Sequence, residues 1–111
     1  MKTRIITVPI DKEAQYELDY DRAEPHQLIE IMIDQSEFKE LDSAGVFDRI
    51  NEIADAMIDD YEDDGIVEKE KLQKVLASDV FDIPVTTNKL KELKSLFIEA
   101  LQRGTGVFFY F

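Results

Sequence analysis

The chain has 111 residues and no cysteine, which is long enough for a core without staples and excludes disulfides, thiol catalysis and thiolate metal sites. Its 25 acids against 13 bases give a net charge of −12, which argues against direct binding to nucleic-acid phosphates or to an anionic membrane surface. Apolar content is 44%, no apolar run reaches the length of a membrane span and no basic-then-apolar leader opens the chain, so one cytoplasmic domain over residues 1–111 is expected.

Residues 4–10 (RIITVPI) are β-branched and almost continuously apolar, and predict a covered strand with Pro9 at a sheet margin. Residues 15–20 (QYELDY) alternate, with Tyr16, Leu18 and Tyr20 on one face, and predict a second strand joined to the first by a loop of about four residues. Pro25 suits the first position of a helix, and Leu28, Ile29, Ile31, Met32 and Ile33 would make that helix apolar over most of its girth. Residues 36–41 are ambiguous, a short helical turn carrying Phe38 and Leu41 inward.

The strongest helical pattern follows. Val46, Phe47, Ile50, Ile53, Ala54, Met57, Ile58 and Tyr61 recur at spacings of three and four, behind an N-cap at Asp42 or Ser43 and ahead of a stop at Gly65. A shorter helix is expected over 68–77, then an irregular connector over 79–85. The last helix, capped at Thr86, Thr87 or Asn88, buries Leu90, Leu93, Leu96, Phe97, Ala100 and Leu101 and stops at Gly104. The closing strand from 106 to 111 is an aggregation hazard unless paired, which places it beside residues 4–10. The expected fold is α+β: about four helices on a small antiparallel three-stranded sheet, made of an N-terminal hairpin plus the C-terminal strand.

The charge is uneven. Residues 1–66 hold 19 acids and 6 bases, a net of −13, whereas residues 67–111 hold 6 acids and 7 bases, a net of +1. Residues 48–64 alone carry eight carboxylates against Arg49. On a helix, Asp48, Glu52, Asp55 and Asp59 would line one solvent-facing strip, with Asp60, Glu62, Asp63 and Asp64 at its lower end. Like charges at that spacing cost roughly 0.2–0.5 kcal/mol per pair, and anions at a helix C-terminus are opposed by its dipole. Such a ridge invites a functional explanation beside the plain one of a solvated face.

Other chemistries fare worse. Residues 60–71 imitate an EF-hand loop, with Asp60, Glu62 and Asp64 at the first, third and fifth positions and Gly65 at the sixth, but Lys71 stands where the bidentate Glu belongs. His26, the only histidine, sits at an expected helix start with Glu30 one turn on, and no nucleophile, P-loop, dinucleotide or zinc-protease pattern occurs. An enzyme, a metal site and a cofactor are therefore not expected. Phe108, Phe109, Tyr110 and Phe111 read as sheet packing.

The sequence points to a small acidic, non-catalytic binding protein, an inhibitor or immunity-type protein by analogy of size and charge alone. The expected contact residues are Asp48, Glu52, Asp55, Asp59, Asp60, Tyr61, Glu62, Asp63 and Asp64, with Tyr61 as an aromatic anchor, and the expected partner is a basic protein such as a nuclease or toxin. Two alternatives remain open: a DNA-mimic inhibitor of a nucleic-acid-binding enzyme, and a degenerate EF-hand-like calcium module. The sequence does not decide the oligomeric state.

Overall fold

The structure, a computed structural model, describes residues 4–60 and 63–111. It is α+β, as the sequence predicts, with five helices and a four-stranded antiparallel sheet. The strands are β1 (Arg4–Pro9), β2 (Leu28–Ile33), β3 (Asp64–Ile66) and β4 (Val107–Tyr110), in the order β2-β1-β4-β3. The helices are α1 (Lys12–Asp19), α2 (Gln35–Ser43), α3 (Val46–Ala54), α4 (Lys69–Ala77) and α5 (Lys89–Arg103).

Two predicted elements exchange identities. Residues 15–20 are helical, because Asp11 caps the turn: its Oδ1 accepts from the Ala14 N–H at 2.8 Å and its carbonyl from the Gln15 N–H at 3.0 Å. The apparent strand face was a one-turn relation. Tyr16 and Tyr20 stack with ring centroids 4.8 Å apart on the exposed side, while Ala14 is buried. The predicted helix at 25–33 is a single 3₁₀ turn, Pro25–Gln27, followed by β2. Six residues rich in isoleucine between a proline turn and the next N-cap, Asp34, favour a strand, which pairs with β1 from Arg4↔Ile33 to Pro9↔Leu28. The two antiparallel strands of the N-terminal region are thus joined by α1, not by a tight loop.

The long central helix also divides. It starts at Gly45, in the left-handed region at φ 86°, instead of Asp42 or Ser43, and ends at Ala54 because Asp55 turns left-handed at φ 52°. Beyond it, side chains replace the helical ladder. Asn51 takes the Ile58 N–H on Oδ1 at 2.7 Å and gives Nδ2 to the Ile58 carbonyl at 2.8 Å, and Asp64 accepts the Met57 N–H at 2.7 Å. Ile58 is still buried, but Met57, expected in the core, is 68% exposed. Gly65 is not a helix stop but a member of β3, where the Phe108 ring lies over it: an added Cβ would stand 2.6 Å from that ring.

The rest follows the sequence. Phe38 and Leu41 are buried on α2, α4 and α5 lie where expected, Gly104 caps α5 at φ 68°, and β4 pairs with β1. Thr87 Oγ1 accepts the Lys89 N–H at the start of α5. The Glu40 carboxylate, held below its usual pKa first by the Thr86 N–H, ties that connector to α2.

One sheet face carries Ile6, Val8, Ile33, Val107, Phe109 and Ile66, all buried. Against it lies α5, with α4 on α5, α3 on α4 and α2 on α3. Phe111 ends the chain inside this core, its ring 5.1 Å from that of Phe47 and 5.3 Å from that of Phe38. The second face carries Ile5, Thr7, Glu30, Met32, Phe108 and Tyr110, and α1 packs against β1 there.

Candidate functional site

Among the described residues of the predicted acidic ridge, only Asp48 and Glu52 are helical, on α3, so no continuous helical strip joins them to Asp55, Asp59 and Asp60. Both are exposed, and Glu52 pairs with Arg49 at 3.4 Å. Asp55 is the left-handed cap, and Asp59 is exposed in the following segment. Asp64 is spent on the backbone, accepting from Met57 and from its neighbour Gly65 at 2.8 Å. Tyr61 and Glu62 lie outside the described residues. Asp60 and Asp63 are the members of the set that lead to a site.

Arg4, at the start of β1, is 3% exposed, and a buried guanidinium requires a partner. Its Nε donates to Asp60 Oδ1 at 2.9 Å and its Nη1 to Gln35 Oε1 at 2.7 Å, and it stacks 4.0 Å from the centre of the Phe38 ring. Asp42, in the last turn of α2, gathers to the same place. Partial burial raises its pKa, the charges of Asp48 and Asp60 raise it further, and Arg4 opposes them.

A second group of carboxylates meets the sheet at the same end, on the other face. Asp19 closes α1, Asp21 follows in the left-handed region at φ 59°, and Asp63 precedes β3. With Leu18 and Tyr110 they line an open basin of about 540 Å³. Tyr110 is opposite Ile5 in the register, one residue from Arg4, so both groups adjoin the end where β1 begins and β4 finishes. Burial first, and then Asp63, Asp19, Asp21 and Glu30, push the Tyr110 phenol up to about 12. It stays protonated as the floor of an anionic basin. The nearby base Arg22 is turned to Glu17 at 3.2 Å and stacks on Tyr20 at 5.2 Å.

Sequence reasoning missed Asp19, Asp21 and Asp42 because it looked for one helical strip. The signal available was the charge count: the excess in residues 1–66 exceeds what residues 48–64 hold. What the fold assembles is six carboxylates (19, 21, 42, 48, 60 and 63) from separate stretches of chain at one end of the sheet.

The segment resembling a calcium loop is built otherwise. α3 ends at Ala54, residues 64–66 are a strand, and Asp64 is engaged by backbone N–H groups, so no helix–loop–helix surrounds it. Among the described residues no group of three or more His, Cys, Asp or Glu side chains is placed to hold a metal ion. His26 is exposed on the 3₁₀ turn, and the Glu30 carboxylate accepts from Thr7 Oγ1 at 3.0 Å. No described helix is long and apolar enough to cross a membrane. No protein-family model, curated protein or solved structure matches this chain.

Proposed function

We propose that this is a cytoplasmic, non-catalytic binding protein of the inhibitor type, whose acidic sheet end occupies a positively charged site on another protein. The observation that carries this reading is two groups of three carboxylates, on opposite faces of one sheet end, set against committed bases. Asp19 and Asp42 stand in the last turns of their helices, where the dipole repels anions, and like charges face one another around Arg4 and Tyr110. An arrangement that costs stability at several places is relieved by a cationic partner. The field of such an end steers a basic protein into encounter, and a cleft built for phosphates is the kind of surface it fits.

The test compares wild type with the Asp19→Lys/Asp21→Lys/Asp63→Lys variant in pull-downs from the native host, followed by association kinetics with the partner recovered. The expected partner is basic. Its association rate should fall at least about tenfold for the variant at low salt, with the difference shrinking as salt rises. Unchanged recovery of the main partner by the reversed variant sinks the reading.

A further inference from the structure

The register shows which backbone groups of β2 point away from the sheet. One step beyond the Pro9↔Leu28 pair, the Ile10 N–H donates to the Gln27 carbonyl at 3.0 Å. Residues 27, 29, 31 and 33 therefore turn their N–H and C=O groups toward β1, and Leu28, Glu30 and Met32 turn theirs outward. The Leu28 N–H is taken by the Pro25 carbonyl. The outward groups of Glu30 and Met32 have no partner among the described residues, since β2 is the last strand of the sheet on that side.

Sheet edges are usually protected by lysine, proline, a bulge or a covering element. β2 has an unbroken six-residue register, no lysine and no proline, and it exposes 60% of Met32. Its one charge, Glu30, is drawn back over the sheet by Thr7. The flanking side chains define what an added strand must carry. Ile29 and Ile31 are only partly buried against the core, so the neighbouring positions on that face call for apolar residues. Glu30, on the other face between Leu28 and Met32, calls for a cation at the position opposite it. A second copy of this chain does not supply one: β2 pairing with β2 about Glu30 sets like charges opposite each other, between molecules of net charge −12.

We propose that the free edge of β2 is a strand-addition site for an extended segment of a partner protein in which apolar and basic residues alternate. This rests on the basic-partner reading above and adds where, and in what conformation, that partner is held.

The probe is a synthetic peptide of four Lys-Val repeats, with four Glu-Val repeats as its control, followed by amide exchange in NMR spectra of the whole chain. The Lys-Val peptide should slow exchange at Glu30 and Met32 by about tenfold or more, and the Glu-Val peptide should not. Met32→Pro, which removes an outward N–H and spares the β1 ladder, should weaken peptide binding about threefold to tenfold. Should that variant not fold, Glu30→Lys serves instead, and should invert the preference between the two peptides. Absence of Lys-Val binding, equal binding of both peptides, or binding that leaves the Glu30 and Met32 amides unchanged overturns the edge site. Binding untouched by either β2 variant but lost on reversing Asp19, Asp21 and Asp63 also overturns it, and leaves the acidic-end reading standing. Edge binding by the peptide, together with a host partner indifferent to that reversal, supports the edge and overturns the acidic end.

Discussion

The two ends of the sheet obey different rules. Where β1 finishes, local preferences agree with the fold: Arg103 sits in the last turn of α5, pairs with Glu99 at 2.6 Å and donates to the Ile10 carbonyl, and glycine takes the left-handed cap. Lys12 and Lys69 line a cavity of about 310 Å³ together with Leu72, Ala100 and Leu101. Where β1 begins, acids occupy helix ends, an aspartate takes a left-handed conformation, and an arginine is buried to hold one of the carboxylates. Sequences usually break such local rules only at sites selected for something besides stability. The contrast separates an end that is merely folded from one that is organised.

The largest expected effect comes from removing the charge that holds the acidic end together. Arg4→Met keeps an apolar stem over Phe38 but removes the guanidinium's bonds to Asp60 and Gln35. Because Asp60 is 38% exposed, the loss should be about 2–3 kcal/mol, below that for a fully buried pair. It is measured as a lower urea midpoint at unchanged slope. The matching change at the other end, Arg103→Met, breaks a pair exposed on both sides and should cost no more than about 0.5 kcal/mol. Equal losses at the two ends would break the comparison.

The basin supplies the next effect, with a definite sign. Tyr110, pushed up to about 12, holds its proton more tightly in the folded state than in the unfolded one. Its contribution is therefore fully present below the ordinary tyrosine value near 10 and is lost as pH rises through 10 to 12, by at most about 2 kcal/mol. Tyr110→Phe should remove a step near 12 from the phenolate absorbance titration and flatten the fall in stability over that window. An unchanged titration curve would mean that the basin carries no such field.

Strands β1 and β4 were legible from their runs of β-branched and aromatic residues, and α4 and α5 from one clear helical period with a recognisable stop, while α2 was legible only in its inward residues Phe38 and Leu41. The two errors near the N-terminus arose where the patterns were too short to have one period. QYELDY satisfies a two-residue alternation and a four-residue turn equally, and only the Asp11 cap decides. LIEIMI is apolar in either state, and only its pairing with β1 decides. The acidic site was half legible. Composition located the charge in the first 66 residues, but Asp19, Asp42 and Asp63 become neighbours of one sheet end through tertiary contacts that no local spacing encodes.

The smallest expected effect is the most specific to that end. Asp42 has a raised pKa because its ionised form is partly desolvated and faces Asp48 and Asp60. The folded state therefore penalises the charge at neutral pH, and Asp42→Asn, which keeps the shape, should stabilise the protein by about 0.3–0.5 kcal/mol. The gain has a pH signature. The native state binds this proton more tightly than the unfolded chain, so the penalty is absent in acid, where both states are protonated, and grows as pH rises through the folded value. It should also shrink in high salt, which screens the neighbouring carboxylates. A carboxylate that is merely part of a solvated face would give no gain, no pH window and no salt dependence on becoming an amide. A stabilising, salt-sensitive Asp42→Asn would mark the acidic end as one that gives up stability for its charge.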